Sequence, residues 1–150
     1  MPPDFRDMLS RFNEDRVEYL VVGAYAMAAH ACPRATGDID FWVRPSKENA
    51  QRVFASLARF GAPLSGITVE DFTKTGTIFQ MGLPPLRIDV LTSIEGVAFD
   101  DAWPNRLVSE IGGLTVNVIG RDDLLANKRV VARPKDLGDV VMLERQSRRG

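Results

Sequence analysis

Two aspartates stand on either side of one isoleucine in the segment GDIDF, where they interrupt a β-strand pattern. Side chains of a strand point to the same face at every second residue. Asp38 and Asp40 therefore leave one face together, with Cα atoms about 7 Å apart, while Ile39 and Phe41 point to the opposite face. Two neighbouring carboxylates repel each other unless a cation lies between them. The pair therefore predicts a cation-binding surface.

A third aspartate, Asp89, lies in the apolar segment LRIDVLT, which also predicts a strand. Leu86, Ile88 and Val90 are expected to face the core, which turns Asp89 to the other side. If the two strands are neighbours, the three carboxylates lie on one surface. Such a set of hard oxygen ligands, without histidine, suits Mg²⁺ or Mn²⁺ rather than zinc. The alternative is that these are ordinary acids on an exposed strand face.

Upstream of the acid pair, the segment VVGAYAMAAH combines a strand, the dipeptide Gly23–Ala24 and an alanine-rich helix. Glycine allows a ligand to approach the backbone closely, and a helix N-terminus offers unpaired N–H groups to an anion. We therefore expect Gly23 and Ala24 to contact a phosphate. Many strand–glycine–helix connections bind nothing, so an ordinary turn is the alternative.

The order of these motifs resembles the nucleotidyltransferase superfamily typified by DNA polymerase β. Its members carry an apolar residue, a glycine and then serine or glycine, followed after a gap by an acid pair around one apolar residue. Here thirteen residues separate Gly23–Ala24 from Asp38–Ile39–Asp40. Ala24 departs from the pattern because it has no hydroxyl, so only its backbone can contact a phosphate.

The segment PRATGDID is similar to the P-R-x-T-x-D-x-D run of the small toxin-type nucleotidyltransferases of abortive-infection and toxin–antitoxin systems. That group also carries D-x-x-x-x-K on a later helix and then a further aspartate, which DLLANK and RPKDLGD supply here. By this resemblance Lys128 would contact the nucleotide phosphates, with Arg34 nearby. Asp123 and Asp136 would support that end of the site. Alternatively, Lys128 and Asp136 form only a surface ion pair, Asp123 only caps its helix, and Arg34 pairs with an acid of the D-x-D motif.

The resemblance implies a metal-dependent enzyme that transfers a nucleoside monophosphate from a nucleoside triphosphate to a hydroxyl acceptor. Asp38 and Asp40 would hold two Mg²⁺ or Mn²⁺ ions, and Asp89 would complete one ion and take the acceptor's proton. Among the toxin-type relatives the acceptor is often the 3′ end of a transfer RNA. An antitoxin or a helical partner protein that completes the enzyme is a further implied partner. The alternative is a catalytically silent nucleotide- or RNA-binding module of the same fold, which the missing hydroxyl of Ala24 favours.

The end of the chain is its basic part. Residues 121–150 hold eight Lys or Arg against five acids, in a chain whose net charge is −1. Arginines spaced by four residues share a helix face, and the five that would form a stripe beside the site are Arg129, Arg133, Arg145, Arg148 and Arg149. We expect this stripe to bind RNA, and a solvated helix face is the alternative.

The 150 residues fit one domain spanning 1–150. Alternating helix and strand patterns predict an α/β (α+β) fold, a mixed sheet of about four to six strands flanked by helices. No apolar run approaches the roughly 20 residues of a membrane span, and the N-terminus lacks a signal-peptide pattern. We therefore expect a cytoplasmic protein without a membrane partner. Its one cysteine, Cys32, leaves a zinc site without further thiolate ligands.

Overall fold

A computed structural model describes residues 1–34, 37–83 and 85–149 of the chain, and six strands and six helices lie within them. The strands are β1 (Tyr19–Val22), β2 (Ile39–Val43), β3 (Ile78–Met81), β4 (Ile88–Leu91), β5 (Leu107–Ile111) and β6 (Leu114–Val118). The helices are α1 (Pro3–Glu14), α2 (Gly23–Ala29), α3 (Lys47–Phe60), α4 (Phe99–Ala102), α5 (Arg121–Val131) and α6 (Pro134–Arg149). Short 3₁₀ turns lie at Val69–Thr73 and Trp103–Asn105.

The strands form one mixed sheet in the order β3-β4-β2-β1-β6-β5. Three antiparallel pairs, β3–β4, β2–β1 and β6–β5, follow one another across the sheet. They are joined by two parallel contacts, β4 with β2 and β1 with β6. The predicted fold class, a mixed α+β sheet flanked by helices, is confirmed. This topology places the C-terminal end of β1 beside the N-terminal ends of β2 and β4, near the centre of the sheet.

One face of the sheet packs on the long helices α1 and α3. The ring of Phe41 lies 5.1 Å from that of Phe12 on α1 and 5.6 Å from that of Tyr19 on β1, both edge to face. On α3, the side chain of Ser46 accepts a hydrogen bond from the N–H of Asn49, and Gly61 ends the helix in the left-handed conformation. This face is the hydrophobic core that fixes β2, because Ile39 and Phe41 are both fully buried in it.

The opposite face of β2 carries Asp40 and then Trp42. The indole of Trp42 lies 5.1 Å from the ring of Phe99 on α4, and Phe99 stacks on Trp103 at 5.6 Å. An aromatic cluster thus covers one end of this face, and the acids lie beside it. The sequence patterns did not predict α4, because a four-residue helix is too short to show a helical period.

Two expectations from the sequence need comment. Leu86 was expected to face the core, but β4 begins only at Ile88 and Leu86 is exposed in the turn before it. The side chains of Arg148 and Arg149, two of the five arginines of the predicted stripe, lie outside the described residues. In the part of the chain that the structure describes, none of the helices has the length and apolar character needed to cross a membrane.

Candidate functional site

Strands β2 and β4 bring three carboxylates together. The two strands are parallel neighbours, and their register places Asp40 directly opposite Asp89. The two side chains are hydrogen-bonded to each other. Asp38 lies immediately before β2, close enough to share a partner with Asp89. The prediction that these strands are neighbours, with the acids on one surface, is confirmed.

The cation that lies among these acids is an arginine of the chain itself. The guanidinium of Arg87 contacts both oxygens of Asp89, with Nε at 2.8 Å and Nη2 at 3.2 Å. Its Nη2 also lies 3.3 Å from Oδ2 of Asp38. The backbone N–H of Arg87 donates to Oδ1 of the same aspartate at 3.0 Å. Arg87 therefore joins the two outer acids of the cluster.

This arrangement of charges changes the pKa of Asp40. Its pKa is raised to about 7, first by burial, then by the hydrogen bond to Asp89 and by the charges of Asp89 and Asp38. The charge of Arg87 acts in the opposite direction but does not outweigh them. Three carboxylates facing one guanidinium leave an excess of negative charge, and more positive charge would relieve it.

The donor set fits Mg²⁺ or Mn²⁺, because it consists of carboxylate oxygens and contains no nitrogen or sulfur ligand. In this structure the guanidinium of Arg87 occupies the place of such a cation, against Asp38 and Asp89. Among the described residues, no group of three or more Asp, Glu, His or Cys is arranged as it stands to hold a metal ion. An ion that binds here must therefore take oxygens from the guanidinium of Arg87.

The turn after β1 packs directly on the acid cluster. Val22, the last residue of β1, pairs with Asp40, and Gly23 follows with a φ of 73°. A Cβ at position 23 would lie 2.3 Å from Oδ2 of Asp40. Glycine is needed here both for the backbone conformation and for the space. Helix α2 has only seven residues, so this turn acts through its contact with Asp40 more than through a helix dipole.

A cavity of about 380 Å³ opens beside the acids. Asp38, Asp40, Gly23 and Ala24 line one side of it. Its basic lining comes from four side chains on three segments: Arg34, Lys128, Arg133 and Lys135. Four cations next to two carboxylates are an arrangement that suits a polyphosphate bound together with divalent ions.

An ion-pair network with two buried carboxylates holds three of these cations in place. Nζ of Lys128 lies 2.8 Å from Asp139 and 3.3 Å from Asp136, and all three residues are buried. Asp139 also pairs with Arg34 at 2.5 Å, and Asp136 pairs with Arg133 at 2.6 Å. Three cations share two carboxylates, so the network keeps a net positive charge towards the cavity.

This network also changes the pKa of one of its acids. Burial of Asp136 acts to raise its pKa, but the hydrogen bonds from Arg133 and Lys128 outweigh burial and lower it. Asp136 therefore stays ionised and acts as an anchor beneath the cavity. It does not line the cavity itself, and it reaches the site only through Lys128 and Arg133.

Of the nine residues that the sequence singled out, six line the cavity, whereas Asp89 and Asp136 only contact residues of the site and Asp123 lies away from it. Asp123 lies in the first turn of α5, hydrogen-bonded to the side chain of Asn105. Lys128 is five residues further along α5 and points about 140° away around the helix axis. The predicted role of Asp123, to support the nucleotide end of the site, stays a prediction.

Three residues of the site were not identified as site residues from the sequence: Arg87, Arg133 and Lys135. Arg87 precedes Asp89 by two residues, so strand parity already places the two side chains on one face. Arg133 and Lys135 flank the proline that separates α5 from α6, and no sequence period indicates that this junction turns back towards β2.

A second cavity, of about 350 Å³, lies at the far end of β2. It is lined by Trp42, Phe99 and several hydroxyl side chains. Its two charged residues, Arg44 and Asp100, pair with each other. Because its charges are already neutralised and the acid cluster does not line it, this cavity is a weaker candidate for chemistry on a charged substrate.

The comparisons with known proteins identify the fold. No family model matches the chain, and no curated protein does. A crystal structure from Thermotoga maritima, described as a "putative nucleotidyltransferase", superposes with a TM-score of 0.58 at 12% sequence identity. The match covers 97% of this chain and 91% of that one. The chain therefore has a nucleotidyltransferase-like fold over nearly its whole length.

Proposed function

We propose that this protein is a metal-dependent nucleotidyltransferase that moves a nucleoside monophosphate from a nucleoside triphosphate to a hydroxyl acceptor. One observation carries the proposal. Asp38 and Asp40 line the same cavity as Arg34, Lys128, and Arg133. A site that joins carboxylates to a basic wall suits a metal–triphosphate complex, whose two parts have opposite charge.

The basic wall binds the triphosphate. Each hydrogen bond from a cationic side chain to a phosphate oxygen contributes about 1.5–3 kcal/mol. Lys128 and Arg34 are positioned in advance by Asp139, so little side-chain entropy is lost when the phosphates arrive. The arrangement favours the β- and γ-phosphates at this wall, with the α-phosphate next to the acids.

The acid cluster holds the divalent ions. Asp38, Asp40 and Asp89 are the carboxylates that would ligate them, and the hydrogen bond between Asp40 and Asp89 gives way when they do. Bound Mg²⁺ or Mn²⁺ supplies positive charge that polarises the α-phosphate and stabilises the leaving pyrophosphate.

In the proposed reaction the acceptor hydroxyl oxygen attacks the α-phosphorus and forms a new P–O bond. The bond between the α-phosphorus and the bridging oxygen breaks, and pyrophosphate leaves towards Lys128 and Arg133, which meet its growing negative charge. Asp89 takes the proton of the hydroxyl, since it lies across the strand pair from Asp40.

The test is transfer of label. The protein is incubated with α-³²P-labelled triphosphates, Mn²⁺ and either total RNA or a small-molecule extract, and the products are separated by size. Label covalently bound to an acceptor is expected with wild type and not with Asp40→Asn. Triphosphate that binds but is never transferred, to any acceptor or to the protein itself, would contradict the proposal.

For the acceptor we propose the 3′ end of an RNA, as the resemblance to toxin-type enzymes implies, with an antitoxin or helical protein as partner. Arg145 on α6 is exposed and supports an RNA contact. Arg129 and Arg133 support it less, because they pair with Glu144 and Asp136. A protein or small-molecule hydroxyl is the outcome if RNA takes no label.

A catalytically silent nucleotide-binding module is the second candidate, and two observations favour it. Ala24 offers no hydroxyl to a phosphate, and Arg87 occupies the acid cluster. Such a module would bind triphosphate through Lys128 and the basic wall in the absence of divalent ions. Triphosphate affinity that does not change when Mn²⁺ is replaced by a chelator would favour the catalytically silent module.

A further inference from the structure

Arg87 is attached to the site in two different ways. Its backbone is fixed, because its N–H donates to Asp38 at 3.0 Å and its carbonyl accepts from the N–H of Ile39 at 3.1 Å. Among the described residues, the ion-pair partners of its side chain are Asp38 and Asp89, and the side chain remains 29% exposed. The guanidinium can therefore rotate away from the acids while β4 keeps its place in the sheet.

The contacts of Arg87 also use the oxygens that an ion needs. Both oxygens of Asp89 and one of Asp38 lie within 3.3 Å of the guanidinium. A divalent ion ligated by the same carboxylates would require these oxygens at about 2.1 Å for Mg²⁺. The two cations compete for these oxygens, since a guanidinium and an ion so close together repel each other.

We propose that Arg87 is the resident counter-cation of the acid cluster and that a divalent ion must displace its guanidinium in order to bind. The inference rests on the proposed function, because it takes the three aspartates as the metal ligands. Arg87 holds the carboxylates together while the site is empty of metal, and it lowers the affinity of the site for the ion. It is a positioning residue that sets the metal concentration at which the site loads.

The planar fork of arginine makes a specific comparison possible. Its Nε and Nη2 contact the two oxygens of Asp89 at once, which a lysine ammonium cannot reproduce. Arg87→Lys keeps the charge and loses this paired contact, whereas Arg87→Gln loses the charge as well. If Arg87 competes with the ion, metal affinity should rise in the order wild type, Arg87→Lys, Arg87→Gln.

The experiment is a calorimetric titration with Mn²⁺ alone, without nucleotide. It compares wild type, the two Arg87 variants, Asp40→Asn, and Arg52→Gln as a matched control. Arg52 also pairs with a carboxylate, Glu48, but on the distant surface of α3. We expect Arg87→Gln to bind Mn²⁺ about tenfold more tightly than wild type, which corresponds to 1.4 kcal/mol. We also expect it to melt at a lower temperature than wild type without metal and to recover when Mn²⁺ is added.

The outcomes separate the two proposals. If Arg87→Gln binds Mn²⁺ no more tightly than wild type, while Asp40→Asn loses binding, the metal site stands and the role given to Arg87 is wrong. If wild type and both Arg87 variants bind Mn²⁺ no better than Asp40→Asn does, the metal centre itself fails, and this inference fails with it. Circular dichroism of each variant shows whether it is folded before it is titrated.

Discussion

The Cα of Gly23 faces Oδ2 of Asp40 so closely that a Cβ there would lie 2.3 Å from the oxygen. The turn that follows β1 and the acid that lies on β2 therefore form one packed unit. This contact brings the glycine and the D-x-D motif together, although fourteen residues lie between them. Any change in the turn is transmitted directly to Asp40.

We predict that Gly23→Ala loses triphosphate and Mn²⁺ binding as well as stability. Alanine at a φ of 73° costs about 1–2 kcal/mol, and its methyl group must also push Asp40 out of line. Gly66→Ala is the matched control, because Gly66 has a φ of 80° with no atom within 4 Å of an added Cβ. The control should lose stability only. Equal binding of metal and nucleotide by both variants, measured by calorimetry, would show that the contact with Asp40 has no part in the site.

We predict that the stability lost in Asp136→Asn depends on pH. The pKa of Asp136 is lowered in the fold, so its contribution is present above the unfolded value of about 3.9 and is lost as the pH falls through the folded pKa. Removing the charge leaves Lys128 with one carboxylate instead of two, at a cost of about 3 kcal/mol near pH 7.

Urea unfolding of wild type and Asp136→Asn at pH 7 and at about pH 3, below the unfolded pKa, measures this. The difference in unfolding free energy should shrink at the lower pH. Asp7→Asn, a change at an exposed position on α1, should show a small effect at both. A difference for Asp136→Asn that is unchanged or larger at about pH 3 would mean that its ionised form is not what holds the network.

We predict that Lys128→Met weakens triphosphate binding about tenfold or more, the loss of one charge-assisted contact. Arg129→Met removes a cation at the next position of α5, where the side chain is exposed and pairs with Glu144, and should change affinity less than about twofold. Fluorescence titration with a labelled triphosphate compares the two. Similar losses in both would point to general charge attraction rather than to a site built around Lys128.

We predict that Arg145→Glu weakens RNA binding and reduces its dependence on salt. Each lost phosphate contact lowers the slope of log affinity against log salt by about 0.7 for a single strand. Lys47→Glu, which reverses an exposed charge on α3, serves as the control. RNA affinity that ignores both salt and Arg145 would make a protein or small-molecule hydroxyl the better acceptor.

The sequence predicted the arrangement of the three aspartates well, and it predicted their surroundings poorly. Strand parity and apolar neighbours are local properties, so the common surface of Asp38, Asp40 and Asp89 could be derived from them. The sequence offered Asp136 as a surface partner of Lys128, but the burial of this pair and the second partner, Asp139, could not be derived. The pairing of Lys128 with Asp136 and Asp139 depends on how α6 folds back on α5, which is decided by packing between elements.

The same dependence on packing explains why the sequence did not identify the cation that lies among the aspartates. Two aspartates on one face imply a positive partner, and the sequence suggested a metal ion, whereas the structure places the guanidinium of Arg87 there. Parity put Arg87 on the correct face, but whether a side chain turns inwards to an acid or outwards to water depends on burial. The exposed Leu86 shows the converse, since a parity argument failed where the strand had not yet begun.

The most direct test of the central claim is a crystal grown with Mn²⁺ and a non-hydrolysable triphosphate analogue, measured at a wavelength where manganese scatters anomalously. We predict anomalous density among Asp38, Asp40 and Asp89. We also predict phosphates against Lys128 and Arg133, with the guanidinium of Arg87 turned away. Phosphates elsewhere on the protein, or an acid cluster that keeps Arg87 and holds no manganese at saturating concentration, would contradict the central claim.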